Sequence, residues 1–276
     1  MSTLFLVATP IGNLEDLGPR AQRILGEVKL IAAEDTRHSR KLLTHFDIRT
    51  PLTSYFEHNQ HDKVDQVLSE LNKGDVALIS DAGMPGINDP GYLLVRAVLD
   101  AGHQVSPIPG PSAPIAALAA SGLPTDHFLY LGYPPQKTSD RRKAFEDVAA
   151  LPYTLVMLES PHRLLPTLED LQATLGERQV VVAAELTKMY ERFFRGSLSE
   201  AIELYKNEPS RGEFTVVVSG HQSSFAKWET RAVHEALRAG IKKNTKPSVL
   251  AKEVAAESGW PKSDVYDLLQ EIQKKD

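Results

Sequence analysis

The stretch "VALISDAGMPGINDPG", residues 76–91, decides the fold class of this chain. Residues 76–80 are typical of a buried strand, and two prolines and three glycines follow before the next helical pattern begins. A plain connection from strand to helix does not require so many of them. Glycines and prolines in such number are typical of a loop that brings its backbone close to a ligand at the carboxyl end of a parallel strand. We therefore predict an α/β fold with a ligand-binding loop here, containing Asp81 and Asp89.

Similar apolar runs alternate with helical patterns on both sides of this loop. The runs cover residues 4–8, 29–33, 76–80 and 104–108, and then 128–132, 154–158, 180–184 and 214–218. Strands that alternate with helices need crossover connections, which favour a mostly parallel sheet. A Pro-rich passage near residue 124 marks a joint. We predict one α/β domain over residues 1–122 and a second over residues 123–222.

The remaining residues, 225–276, show helical patterns alone, at roughly 229–240, 248–258 and 263–274. They carry 10 Lys and Arg against 8 Asp and Glu, a net +2, whereas the rest of the chain carries 21 against 28, a net −7. A small basic helical domain often binds nucleic acid, and the alternative is a solvated helical cap with ordinary surface lysines. We predict a small helical domain, in which a helix-turn-helix-like, RNA-contacting arrangement is one possibility.

Composition excludes several classes of site. The chain of 276 residues has no cysteine, so disulfides, thiolate zinc sites and cysteine nucleophiles are ruled out, and a cytoplasmic location is the natural expectation. No run of 18 apolar residues exists, and the first ten residues lack the basic start of a signal peptide. The net charge of −5 argues against a general nucleic-acid coat and leaves room for local basic patches.

The first predicted strand leads into a turn that does not suit a phosphate. "LFLVATPIGNLEDL", residues 4–17, has one glycine in the turn, Gly12, and a proline, Pro10, that has no N–H to offer an anion. Neither G-x-G-x-x-G nor the Walker A pattern is present. We expect this loop to approach a ligand through backbone and small side chains.

Polar residues follow other strands of the first half. Ser112 stands where a helix N-cap is expected, in "PGPSA" after residue 108. Residues 32–42 and 55–63 each place charged or imidazole side chains at a corner between strand and helix, and either could be a cap with solvated charges. Glu57, His58 and His61 could be imagined around a metal, but their spacing is not H-E-x-x-H and we expect none.

Six sequence motifs occur together in this chain: "VATPIGNLEDL", "AAEDTRHSRKLL", "SDAGMPGINDPG", "PGPSA", "ESPHRLL" and "AAELTKMYE". In order and spacing the chain resembles the bacterial ribosomal RNA small subunit methyltransferase I family over nearly its whole length. That family is of the tetrapyrrole-methylase-like, class III S-adenosylmethionine-dependent type. The resemblance implies two α/β domains with the cofactor in the cleft between them, commonly in a homodimer, and 2′-O-methylation of a cytidine in the decoding region of small-subunit (16S) ribosomal RNA.

The resemblance also implies which residues contact S-adenosylmethionine, a cofactor without phosphate. The expected cofactor contacts in the first domain are Pro10, Asp81, Gly83, Met84, Ser112 and Ala113, and those in the second are Met157 and Leu186. Much of this contact would involve backbone atoms. An S-adenosylmethionine cofactor fits a first loop that has few free N–H groups.

Methyl transfer to a ribose hydroxyl needs alignment first and a proton acceptor second. His58 has a suitable intrinsic pKa, and Glu34 or Asp35 could serve if burial raised theirs. The residues expected to contact RNA phosphates are Arg37, Arg40 and Lys188, together with Lys242 and Lys243 of the tail sequence "RAGIKKNTK". The expected partner is ribosomal RNA or the small subunit, with no membrane.

Two other functions fit part of the sequence. The first is a tetrapyrrole methylase of the precorrin or uroporphyrinogen type, for which the basic run in the tail would be superfluous. The second is a DNA-binding regulator with a ligand-sensing body, because residues 248–269 scan like two helices around a glycine turn. The weak net charge of the tail argues against the regulator.

Overall fold

The computed structural model describes residues 2–208, 211–221, 228–243 and 245–275. The chain divides into two compact units, Met1–His221 and Gln222–Asp276. The first unit contains two five-stranded sheets, and the second is helical. The α/β fold class predicted from the alternating pattern is confirmed.

All strand pairs of the first sheet are parallel. Its strands are β1 (Thr3–Val7), β2 (Leu30–Ala33), β3 (Leu52–Ser54), β4 (Val76–Ile79) and β5 (Gln104–Ile108), in the order β3-β2-β4-β1-β5. The helices are α1 (Pro19–Glu27), α2 (Thr36–His45), α3 (Gln60–Leu71), α4 (Tyr92–Asp100) and α5 (Ala113–Ser121), with a short 3-10 helix at Leu14–Asp16. The three-residue β3 was not predicted.

The central strands of this sheet are buried along their whole length because helices cover both faces. Along β2, Ile31 and Ala33 belong to one hydrophobic core, and Leu30 and Ala32 belong to the core on the other face. The predicted apolar stripe of α3 packs on the second of these cores, where Val67 is fully buried. The carboxyl ends of the parallel strands are therefore held in fixed positions at one edge of the sheet.

The second sheet is mixed, which corrects the expectation of a mostly parallel one. Its strands are β6 (Phe128–Tyr130), β7 (Thr154–Glu159), β8 (Gln179–Ala184), β9 (Arg192–Ser197) and β10 (Phe214–Val218), in the order β6-β7-β10-β8-β9. Only β6 and β7 pair in parallel, and the other three pairs are antiparallel. The link from β8 to β9 is too short for a crossover, so these strands must run antiparallel. The helices are α6 (Thr138–Glu146), α7 (Pro161–Leu175) and α8 (Leu198–Asn207).

The second unit contains the three helices that the tail sequence predicted. They are α9 (Thr230–Lys242), α10 (Pro247–Ser258) and α11 (Lys262–Lys275). Val233, Leu237, Leu250 and Val265 form part of a hydrophobic core of their own. The indole N–H of Trp260 donates a hydrogen bond of 2.8 Å to a backbone carbonyl near the start of α9.

None of the described helices is both long enough and apolar enough to cross a lipid bilayer.

Candidate active site

A cleft of about 250 Å³ lies within the first unit, between loops of the two sheets. The first sheet contributes the loops that follow β1, β2, β4 and β5, and the second contributes residues of β6, β7 and β10 with the loops around them. This size suits a small molecule or one inserted nucleotide. The lining residues are Ile11, Glu34, Asp81, Ala82, Gly83, Met84, Ile87, Asn88, Asp89, Ser112, Ala113, Pro114, Tyr130, Tyr133, Leu158, Glu159, Leu186, Glu213, Phe214 and Thr215.

The loops after β1 and β4 are held together by backbone hydrogen bonds. The N–H of Thr9 donates to the carbonyl of Gly83 at 2.8 Å, and the N–H of Gly83 donates back to Thr9 at 3.0 Å. Gly83 has a φ of +79°, a conformation that glycine adopts without strain. The long Gly- and Pro-rich loop is therefore a fixed part of the cleft wall.

The two halves of the unit approach each other closely on either side of the cleft. A Cβ on Gly12 would lie 2.5 Å from Cγ of Lys188 and 3.0 Å from the carbonyl oxygen of Leu186. On the other side, the side chain of Asn88 packs directly over Gly132. The width of the cleft thus depends on small residues at both contacts.

We expect Gly12→Ala to lower the free energy of unfolding by about 1–3 kcal/mol, the usual cost of overpacking. The added methyl group would collide with backbone and side-chain atoms of the second half. Gly18→Ala is the matched control, because nothing lies within 4 Å of a Cβ at that position. Urea unfolding monitored by circular dichroism measures both. Equal midpoints for the two variants would contradict the close contact.

Two carboxylates tie the loops after β2 and β4 together. The Asp81 N–H donates to the Glu34 carboxylate at 3.3 Å, and the Asp35 N–H donates to the Asp81 carboxylate at 3.1 Å. Burial raises the pKa of Glu34, the hydrogen bond from Asp81 lowers it, and the charges of Asp81 and Asp35 raise it. Asp81 thus joins two loops that lie 46 residues apart in the chain.

The cleft is acidic. Five carboxylates line it, at Glu34, Asp81, Asp89, Glu159 and Glu213, and no lysine, arginine or histidine does so within the described part of the chain. Burial is the main cause that raises the pKa of Asp89 to about 6, and the charges of Glu34 and Asp81 add to it. Such a wall favours a ligand that carries positive charge and disfavours a pyrophosphate.

Comparison with known proteins fits this architecture. The model of the tetrapyrrole (corrin/porphyrin) methylases matches residues 3–202. A ribosomal RNA small subunit methyltransferase I from Halalkalibacterium halodurans is 45% identical over 271 residues, which are 96% of this chain and 94% of the relative. The chain belongs to the ribosomal RNA small subunit methyltransferase I family. Its relative from Escherichia coli O157:H7 is 48% identical over 224 residues, 80% of this chain and 78% of that protein.

Solved structures show the same fold at lower identity. Diphthine synthase superposes with a TM-score of 0.60 and 13% identity, covering 80% of this chain and 90% of that one. A uroporphyrin-III C-methyltransferase from Thermus thermophilus, in complex with S-adenyl homocysteine, superposes with a TM-score of 0.53 and 20% identity. The match covers 79% of this chain and 97% of that one. The two α/β halves of this methyltransferase I family member are therefore those of the tetrapyrrole methylases.

Most residues expected to contact the cofactor line the cleft. They are Asp81, Gly83, Met84, Ser112, Ala113 and Leu186. Pro10 is not among the lining residues, but its neighbour Ile11 is. The Met157 side chain is fully buried in the core of the second half, while Leu158 faces the cleft, because successive residues of β7 point to opposite faces. The residue of β7 at the cleft wall is therefore Leu158 and not the expected Met157.

The three residues expected to act as base lie in different surroundings. Glu34 lines the cleft. Asp35 is the N-cap of α2, and hydrogen bonds from Arg37 lower its pKa to about 2, which makes it a weak base. His58 is exposed and does not line the cleft. Among the described residues there is no cluster of three or more His, Asp or Glu that could hold a metal, and the side chain of His61 lies outside those residues.

The basic residues expected to contact RNA also differ in their surroundings. Arg37 and Arg40 line a shallow exposed depression on α2 together with Lys41. Lys188 is half-buried and bonded to Glu185 at 3.0 Å and to Glu213 at 3.2 Å. Lys242 and Lys243 are exposed in the second unit.

Several lining residues were not predicted as site residues. Tyr130 is the last residue of β6 and Tyr133 lies in the loop after it. Burial is the first cause that raises the pKa of both, that of Tyr130 to about 12. Asp89 was noticed in its loop but could not be distinguished from an ordinary turn residue. The sequence signal for Asp89 was the Pro90-Gly91 pair that follows it, which delays the start of α4 to Tyr92.

Proposed function

We propose that this chain transfers the methyl group of S-adenosylmethionine to the ribose 2′-oxygen of a cytidine in the decoding region of small-subunit ribosomal RNA. The observation that carries the proposal is an acidic cleft between two methylase halves, lined by no lysine, arginine or histidine of the described residues, in a chain related over most of its length to ribosomal RNA small subunit methyltransferases I. The cytidine and the 2′-oxygen are the family's target as the sequence resemblance implies it.

The cleft residues suit S-adenosylmethionine, which supplies an electrophilic methyl group on a positively charged sulfur. Asp81 and the neighbouring carboxylates match its ammonium and sulfonium charges. Ser112 is the N-cap of α5, and its side chain makes no capping bond, so its hydroxyl and the free N–H groups of that helix can hold the cofactor carboxylate. The adenosine would be held by Gly83, Met84, Ala113, Leu186 and the backbone near Pro10 and Met157.

Helix α2 offers a path for the RNA backbone. It starts beside Glu34 of the cleft and exposes Arg37, Arg40 and Lys41 around one depression. Arg37 is bonded to Asp35, so Arg40 and Lys41 are the cations more available to phosphate. We assign Lys188, Lys242 and Lys243 as further phosphate contacts, as the sequence suggested.

We expect Arg40→Ala to weaken RNA binding and to reduce the slope of log K against log salt by about 1, because one phosphate contact is lost. Arg49→Ala is the control. Arg49 precedes the first residue of β3 and so lies at the opposite edge of the parallel sheet from the cleft. Filter binding of ribosomal RNA fragments at several salt concentrations measures both slopes. An unchanged slope for Arg40→Ala would remove this helix from the interface.

Incubation with a radiolabelled methyl donor tests the function directly. The acceptors are deproteinised ribosomal RNA, small ribosomal subunits and a tetrapyrrole such as uroporphyrinogen III. Label that enters RNA and is mapped to a cytidine 2′-oxygen supports the proposal. Label that enters only the tetrapyrrole would replace it with the macrocycle enzyme, and the absence of transfer with specific DNA binding would favour the regulator.

Localisation and assembly are further parts of the proposal. A cytoplasmic location agrees with a chain that lacks cysteine and a substrate made in the cytoplasm. A homodimer is the assembly that the family resemblance implies. Cell fractionation and sedimentation at micromolar concentration test the two statements separately.

A further inference from the structure

The carboxylates of the cleft differ in what they already bind. Glu34 accepts the N–H of Asp81, and Asp81 accepts the N–H of Asp35, so both hold the loops in place. Each of these backbone bonds stabilises the charged form of the carboxylate, and protonation would weaken the contact between the two loops, although burial raises the pKa of Glu34 overall. The main role of these two side chains is therefore to hold the loops of the cleft wall together.

The carboxylates from the second half are also engaged. Glu159 is almost fully buried and accepts the N–H of Ser160 at 2.8 Å and the hydroxyl of Thr167 at 2.7 Å. Glu213 is paired with Lys188 at 3.2 Å. Protonation of Glu159 would weaken these two hydrogen bonds, and protonation of Glu213 would remove the charge that pairs with Lys188.

Asp89 is different. Within the described residues it has no ion pair and accepts no backbone N–H; the hydroxyl of Ser80 is the polar side chain near its carboxylate. It lines the cleft from the same loop as Asp81, Gly83 and Met84, the residues expected to hold the methyl donor. A carboxylate with spare acceptor capacity thus lies in the same loop as residues expected to hold the methyl donor.

The position of Asp89 is fixed from both sides. Asn88 has a φ of +61°, a conformation that non-glycine residues rarely adopt, and its side chain packs against Gly132 of the second half. Pro90 restricts the backbone that follows. Asparagine adopts a positive φ more readily than other non-glycine residues, so the turn and the contact with Gly132 fix the loop beside Asp89 without marked strain.

We propose that Asp89 accepts the proton of the ribose 2′-hydroxyl during methyl transfer, an inference that rests on the proposed function. The 2′-oxygen forms a bond to the methyl carbon while the carbon–sulfur bond breaks, and the electron pair of that bond stays on sulfur, which becomes neutral. The 2′-oxygen loses its proton to the Asp89 carboxylate, which then releases it to water.

The surroundings of Asp89 suit this role. Glu34 and Asp81 are the charged groups near it, and Tyr130 and Tyr133 face it from the second half. Burial first, and those charges second, raise its pKa to about 6. It is therefore ionised at neutral pH and more basic than an ordinary aspartate, as a general base should be.

Single-turnover methyl transfer with saturating S-adenosylmethionine and ribosomal RNA tests the inference in wild type, Asp89→Asn and the exposed control Asp100→Asn. At saturating donor we expect Asp89→Asn to lose about 100-fold or more in rate, with an RNA affinity within about twofold of wild type. The wild-type rate should fall below pH 6 as Asp89 becomes protonated, and the variant should lack this acid limb. Asp100→Asn should match wild type in both respects.

A melting experiment shows whether the variant is folded. Because the native pKa of Asp89 is raised, its charged form opposes folding at pH 7.5 and its protonated form does not at pH 5. Asp89→Asn should thus melt a few degrees above wild type at pH 7.5, with a smaller difference at pH 5. A wild type that does not methylate RNA contradicts the proposed function. An active wild type with a full-rate Asp89→Asn, or a loss confined to KM, overturns the inference alone.

Discussion

Asp170→Ala is expected to lower the free energy of unfolding by about 3–5 kcal/mol, the usual cost of breaking a buried ion pair. Asp170 accepts hydrogen bonds of 2.7 Å from Nε of Arg141 and 2.7 Å from Nε of Arg142. The side chains of Asp170 and Arg141 are each only 4% exposed. Without Asp170, the charge of Arg141 remains buried with only carbonyl oxygens and a hydroxyl as partners.

Glu169→Ala is the matched control for this change. Glu169 is the neighbouring residue on α7, but its pair with Lys206 is long, at 3.4 Å, and about half exposed. Surface pairs of this kind contribute less than about 1 kcal/mol. Urea unfolding of the two variants gives the comparison, and insolubility of Asp170→Ala beside a soluble Glu169→Ala points the same way. Similar unfolding midpoints would contradict the assignment of the buried pair.

Asp81→Ala is expected to weaken S-adenosylmethionine binding by about 100-fold, since hydrogen bonds to charged groups contribute about 1.5–3 kcal/mol and this carboxylate also holds the Asp35 loop. Isothermal titration calorimetry measures the dissociation constant. Asp100→Asn again serves as the control, because Asp100 is exposed at the end of α4. An unchanged affinity for Asp81→Ala, in a variant with a wild-type melting temperature, would remove Asp81 from the cofactor site.

The parts of the fold that sequence predicted are those with strong local signals. β2 and β4 are continuous apolar runs buried on both faces, and the glycines and prolines after β4 mark the ligand loop. β3 has only three residues, and β9 is an edge strand with two arginines and a glycine, so both lack such a signal. The antiparallel pairing of β8 with β10 joins residues far apart in sequence, which periodicity cannot predict.

Cleft-lining positions were predicted where they follow strand ends, and they were missed where tertiary burial distinguishes them. Gly83 and Ser112 follow strand ends, and the topology of a parallel sheet brings such positions together. Asp89, Glu34 and Asp35 look alike in sequence. Burial in the folded chain raises the pKa of the first two, whereas hydrogen bonds from Arg37, two residues along the chain, lower that of Asp35. Met157 shows a similar limit for a strand. An error of one residue along β7 moves the predicted side chain from the cleft face to the core face.

The acidic cleft is unfavourable for folding and useful for binding. Burial first, and repulsion between neighbouring carboxylates in addition, raise the pKa values of Glu34 and Asp89. A cationic ligand relieves this repulsion, and its binding should raise the melting temperature of the chain. Proteins commonly keep such locally unfavourable arrangements at functional sites.

Calorimetric titration of the wild-type chain tests the central claim most directly, namely that the cleft binds a cationic methyl donor and not a phosphate-bearing nucleotide. The titrants are S-adenosylmethionine, its demethylated product, and an adenine dinucleotide. Saturable binding of the first two, without heat from the dinucleotide, is the predicted result. Tight dinucleotide binding without a response to either sulfur compound would contradict it.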